Sequence, residues 1–230
     1  LVDARWSGKL RQELRWLGGE LGAVRDYDVF LSRLRAAAKR SGAGGDPNVI
    51  ALLAAARDAR SAARAHMVGA LRSGRYSRLR TRLELAARSP RLTLAARLTA
   101  SQAFPDIVKR RKKKLKKASD ELSLRPSFAA LHRVRILSKR LRYAAEAIED
   151  VAGEQAATLA KSAERLQDVL GELNDAVSAC RLLRRMRTRQ ELALAANAIL
   201  ALEIEAVRRS RDVWPAVFAK LVATELPSWR

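Results

Sequence analysis

The chain is short of acid for its base. Lys and Arg number 46 against 24 Asp and Glu, a net charge of +22 over 230 residues. Such an excess repels itself in the compact state and implies a polyanionic partner. Cysteine is all but missing: Cys180 stands alone, which excludes an intrachain disulfide and points to a reducing compartment. Set in a helical pattern, it reads as a small core residue rather than a nucleophile. Aromatics are sparse, with four Trp, three Tyr and four Phe, so base-stacking platforms for single-stranded nucleic acid are weakly supported. No uncharged apolar run reaches the roughly 18 residues of a membrane span, the nearest approach being Leu192–Ile204, which holds Glu203. No secretory signal leads the sequence. These absences describe a soluble, cytoplasmic protein without membrane partners.

Strand signals are equally scarce. Alternating β-branched runs do not occur, while Ala, Leu, Arg, Glu and Lys fill long stretches with helical period. Helices are expected at roughly 3–20, 25–40, 48–73, 77–88, 106–123, 128–150, 155–170, 174–188, 190–211 and 213–223. Gly42–Gly45 followed by Asp46–Pro47 reads as a loop feeding a helix. Pro90, Pro105 and Pro126 sit near helix starts, and Gly153 separates its neighbours. The fold class is all-α.

Against this background the segment Leu131–Ala145 stands out. At about 100° per residue, Val134, Leu137, Leu141, Ala144, Ala145 and Ile148 form a core-facing stripe. His132, Arg135, Lys139, Arg142 and Tyr143 gather on the opposite face. Like charges three and four residues apart repel by about a few tenths of a kcal/mol per pair, and no acid interleaves them between 131 and 145. A helix that tolerates this repulsion meets an anion there. Arg135 and Arg142 can fork onto phosphate oxygens, Lys139 acts as a point charge, His132 offers a ring N–H and Tyr143 a hydroxyl.

A second cluster precedes it. Residues 107–143 hold fourteen Lys and Arg against Asp120 and Glu121 alone. An Ala- and Arg-rich composition explains solvated arginines such as Arg57, Arg60 and Arg64, but not Lys109, Lys112, Lys113, Lys114, Lys116 and Lys117 together. Of that run, the lysines facing away from Val108, Leu115, Ala118 and Leu122 are the better ligand candidates. His66, set among Ala62, Ala63, Ala65 and Met67, is expected to be structural. Trp16 reads as core.

An internal repeat runs at an offset of 149 residues, pairing Leu10 with Leu159, Leu17 with Leu166, Leu21 with Leu170, Gly22 with Gly171, Asp26 with Asp175, Leu34 with Leu183 and Arg35 with Arg184. Gly within such a pattern suggests a helix break, with the Asp capping the resumed segment. The repeat implies two pseudo-symmetric antiparallel bundles, at 1–104 and 105–230. The counterpart of His132 would precede Leu1, so the first bundle is expected to lack its N-terminal basic helix.

Three segments carry a family resemblance. Leu131-His132-Arg133-Val134-Arg135-Ile136-Leu137-Ser138-Lys139-Arg140-Leu141-Arg142-Tyr143 resembles the second basic helix of the CHAD family, the conserved histidine α-helical domain. Leu10–Leu17 continuing to Leu21-Gly22-Ala23-Val24-Arg25-Asp26, and Leu166–Asp175, are similar to its other motifs and follow in the expected order. The resemblance implies two four-helix bundles with a basic groove or pore that binds inorganic polyphosphate, often on polyphosphate granules. Within the matching motifs it adds Arg25, Arg133 and Arg140 to the ligand candidates His132, Arg135, Lys139, Arg142, Tyr143, Lys109, Lys112, Lys113 and Lys116. The family's first His- and Arg-bearing helix has no match here, which would cost the groove one wall.

Two other functions compete. Nucleic acid would be attracted by the same charge through counterion release, but zinc-finger spacing and RNA-recognition signatures are absent, and the basic face carries no Asn or Gln for base readout. Phosphoryl transfer generally needs metal-holding acids and a phosphate loop, and no G-x-x-x-x-G-K-[ST] occurs. Glu203-Ile204-Glu205 begins like the E-x-E-x-K motif of a triphosphatase, yet Val207 replaces the lysine and the pattern is helical. His132 has no second His, Cys or carboxylate on its face to share a metal. The expected protein is a non-catalytic binder without metal or cofactor, and the sequence sets no oligomeric state.

Overall fold

The computed structural model of the chain describes residues 1–226. Among them are seven α-helices: α1 Ala4–Arg40, α2 Pro47–Leu71, α3 Gly74–Arg88, α4 Ala100–Asp120, α5 Phe128–Glu146, α6 Glu149–Met186 and α7 Ala193–Ala223. Short 3₁₀ turns lie at Leu94–Arg97 and Gln190–Leu192. No β-strand occurs among the described residues; extended pairing is confined to one antiparallel bridge, Val2 with Leu92. The all-α expectation holds.

Side-chain caps set several boundaries. Asp3 accepts from Trp6 N–H at 2.7 Å to open α1. Asp46 accepts from Asn48 N–H at 2.7 Å, with Pro47 in the first turn of α2, as the Gly42–Pro47 pattern implied. Ser73 and Ser127 cap α3 and α5 in the same way. Thr99 and Gln102 form a capping box at α4. Pro105 then falls inside α4, one turn past its start, rather than at the boundary.

The sequence reading overestimated glycine as a helix breaker. Gly22 lies within the uninterrupted α1, and Gly171 within α6. Asp26 and Asp175 are therefore mid-helix residues, not caps. A single Gly costs a helix about 1 kcal/mol relative to Ala, too little to break segments whose apolar faces are buried on both sides of it. Gly153 does break α6: its φ of 59° and ψ of −143° lie in a region open essentially to glycine.

By packing, the chain forms two compact units. The first comprises Leu1–Ala96 and Ser178–Leu202, the second Arg97–Val177 and the chain from Glu203. The sequence division at 104/105 follows chain order, whereas α6 and α7 each contribute to both units. In the first unit α1 packs against α2 and α3. Phe30, Leu34, Leu52 and Leu79 are buried in its core, and Cys180 is a buried thiol outside any disulfide.

The second unit is built around Leu131, Val134, Leu141 and Ala145 of α5 and Leu159, Leu166 and Leu170 of α6, joined by Val108 and Leu115 of α4. Each fully buried Leu or Val contributes about 1.5–3 kcal/mol. Leu137 and Ala144 pack partly buried against this core, so the predicted stripe of α5 is its buried face. Ser138 also points inward, and its hydroxyl donates to the Ala163 carbonyl of α6 at 2.7 Å. Burying the apolar stripe leaves the basic residues of α5 no direction but the opposite one.

Candidate functional site

Three contacts between α5 and α6 define the basic face. His132 Nδ1 lies 3.1 Å from Asn174 Oδ1. Arg135 lies over Gly171, where an added Cβ would stand 3.5 Å from its Nε. Arg142 ion-pairs with Glu164 at 3.0 Å. As numbers rise on one helix they fall on the other, so the two stripes run antiparallel. On α6 that stripe is Glu164, Gln167, Gly171 and Asn174, spaced to share one helical face.

The stripe is unevenly compensated. Arg142 bonds Glu146 at 2.6 Å as well as Glu164, and the hydrogen bond to Glu146 is the main reason its pKa is raised. The sequence suggests an uncompensated face; Glu146, the first residue past the segment and one turn beyond Arg142, and Glu164, from another helix, neutralise this end of it. Arg135 differs. Its Nε–H is buried and meets no acceptor, and the Gln167 amide oxygen on the facing stripe is buried and meets no donor. An unsatisfied buried polar group costs about 1–3 kcal/mol, and more if charged. Lys139 is half-buried, with Nζ 5.5 Å from the centroid of the Tyr143 ring, and the Arg142 guanidinium lies 5.9 Å from the same ring. Arg133 and Arg140 are exposed on the flank of α5, about 100° of helical turn from His132.

On α4, Val108, Leu115 and Ala118 are buried, and Lys109, Lys113 and Lys116 are exposed. Lys116 pairs with Asp120 at 3.4 Å, an exposed pair of small energetic weight. Lys112 has a different task. It is half-buried, its ammonium donates to the Thr224 carbonyl beyond α7, and burial lowers its pKa against the opposing pull of Glu225. Arg25 is exposed on α1, in the first unit. His66, expected to be structural, is exposed and pairs with Glu20 at 3.0 Å. Trp16 is half-buried beneath the Arg75 guanidinium, 4.2 Å from its ring centroid.

The α6 side of the face escaped the sequence reading. Gln167 and Asn174 fall within the Leu166–Asp175 motif, where the sequence assigns them no role, and Glu164 lies outside it. Their spacing was visible, but only the pairing of α5 with α6 gives it meaning. No cluster of three or more His, Cys, Asp or Glu side chains fit to hold a metal occurs among the described residues. No described helix is long and apolar enough to cross a membrane.

Comparison with known proteins adds to this geometry. The model of the CHAD domain family matches residues 1–184. A solved CHAD domain from the plant Ricinus communis is 28% identical, with a TM-score of 0.75 over 96% of this chain and 74% of that one. PptA from Streptomyces chartreusis is similar in fold, at 24% identity and a TM-score of 0.75 over 95% of this chain and 82% of its own. No curated protein matches. With the family model spanning most of the chain and the fold shared with a solved CHAD domain, this protein belongs to the CHAD domain family.

Proposed function

We propose that the chain binds inorganic polyphosphate without transforming it, through the basic face of α5, with exposed lysines of α4 extending the contact. The observation that carries this reading is the stripe itself: His132 is exposed, Arg135 and Lys139 are half-buried on the same face of α5, and neither of these two cations has an ion-pair partner among the described residues. Phosphate oxygens supply that partner, and a polymer of phosphates engages successive cations one helical turn apart. Arg133 and Arg140 on the flank are candidates for a chain that extends past the face; Arg25, on α1 of the first unit, is a candidate by its charge and exposure. Lys112 belongs to the set by charge, but its ammonium is engaged at Thr224. Association with polyphosphate granules in the cytoplasm follows if the granule surface presents the same polymer.

Nucleic acid is the second reading, favoured by the net charge of +22. Tyr143 argues against it, because the ring that would stack on a base has Lys139 and Arg142 beside it. Competition among long polyphosphate, duplex DNA and RNA at physiological salt tests the assignment. Long polyphosphate should displace both nucleic acids at equal phosphate concentration, with steep salt dependence, and orthophosphate should compete poorly. Equal competition by DNA or RNA, or by orthophosphate, would overturn it.

A further inference from the structure

The hydrogen bonds around His132 fix which of its ring nitrogens carries a proton. Asn174 Nδ2 donates to Asp175 Oδ1 at 3.4 Å, which turns Asn174 Oδ1 toward the imidazole. That oxygen can only accept, so Nδ1 donates to it at 3.1 Å. A neutral imidazole has one N–H. With that proton held at Nδ1, Nε2 is a lone pair, and a lone pair repels a phosphate oxygen. Only the protonated ring offers Nε2–H to an anion.

We infer that Asn174 is a positioning residue, which locks His132 in the Nδ1–H tautomer and so couples anion binding at His132 to uptake of one proton from solvent. The inference rests on the polyphosphate reading of this face. The charged groups around the ring are Arg135 and Lys139 on the same stripe of α5, Arg133 on its flank, and Asp175 on α6, engaged with Asn174. α4 and α7 also pack on α5, α7 bringing Arg211, whose guanidinium lies 4.5 Å from the ring centroid of Phe128, one turn before His132; among the described residues no side chain of either helix hydrogen-bonds or ion-pairs with the imidazole.

The sign follows from linkage. A bound anion favours the imidazolium, so binding draws a proton onto the ring. The added affinity is greatest at acid pH and fades as pH rises. For one proton the slope cannot exceed about tenfold per pH unit.

Affinity for long-chain polyphosphate, whose chain ends contribute few titrating groups, is measured by calorimetry from about pH 5.5 to 8.5 in two buffers of different ionisation enthalpy. The wild-type chain should lose roughly three- to tenfold in affinity across that range, and the buffer difference should report proton uptake approaching one. His132→Gln should flatten the profile, with circular dichroism confirming its helicity. Asn174→Leu frees the ring to protonate at Nε2 while neutral, so its profile should be shallower than the wild type. A flat wild-type profile without proton uptake overturns the inference, and this measurement needs no variant. So does a His132→Gln or Asn174→Leu profile as steep as the wild type. Absence of polyphosphate binding at every pH overturns the function proposed above as well; binding that ignores pH overturns this inference alone.

Discussion

Arg135 of α5 lies against the bare backbone of Gly171 on α6, its Nε 3.5 Å from the point a Cβ would occupy. That spacing is ordinary van der Waals contact, so one methyl fits and a larger group does not. Gly171→Ala should therefore keep polyphosphate affinity and raise the melting temperature by about 2–4 °C, the gain of about 1 kcal/mol in helix propensity. Gly171→Leu should displace the guanidinium and weaken binding about tenfold or more while helicity is retained. Circular dichroism melts and titrations on both variants check this.

Arg142 answers two carboxylates before any ligand arrives. Replacing it with Gln should cost less affinity than replacing Arg135 or Lys139. Glu164→Gln together with Glu146→Gln should instead strengthen polyphosphate binding, by roughly three- to tenfold, since one more cation becomes available. The log–log salt slope should steepen by about one. An unchanged slope would show that Arg142 stays out of reach of the ligand.

The first unit has an acid-sensitive contact of its own. Arg75 donates to Glu13 at 2.8 Å and thereby lowers the pKa of that carboxyl. A carboxylate depressed on folding stabilises the fold above its unfolded value of about 4.3 and loses that contribution as pH falls through the folded value. Denaturant melts between about pH 3 and 6 should show Glu13→Gln with a flatter acid limb than the wild type. Parallel limbs would show that the pair contributes nothing to acid stability.

Gly153 and Gly22 should respond in opposite directions to alanine. At Gly153 the backbone is at φ 59°, ψ −143°, where a Cβ is strained although no atom lies within 4 Å of it. Gly153→Ala should destabilise by about 1–3 kcal/mol. Gly22 is helical with open space around it, so Gly22→Ala should stabilise by about 0.5–1 kcal/mol. Chemical denaturation of the two variants measures both.

Positions matched by the sequence repeat differ in burial. Leu21 and Leu170 are repeat partners, yet Leu21 is 44% exposed and Leu170 is 2% exposed. Leu14 remains 41% exposed, while Ala163, at the matching position, is fully buried beside Ser138 of α5. The sequence records the similarity of α1 and α6. It does not record which helix packs on each of them.

What the sequence determined by itself was local: helix, apolar stripe and the direction of the basic face. These depend on residue spacing along one helix, and Val134, Leu141 and Ala145 could not be buried without turning His132, Arg135 and Lys139 the other way. The family was legible for the same reason, since its motifs are contiguous. Only the tertiary structure decided how each cation on that face is used. Glu164 is 22 positions from Arg142 and Asn174 is 42 from His132, separations at which charge neutralisation and tautomer choice leave no periodic trace. They arise when α5 and α6 pack antiparallel. That packing neutralises Arg142, leaves Arg135 without an acceptor, and places an amide oxygen where His132 must donate to it.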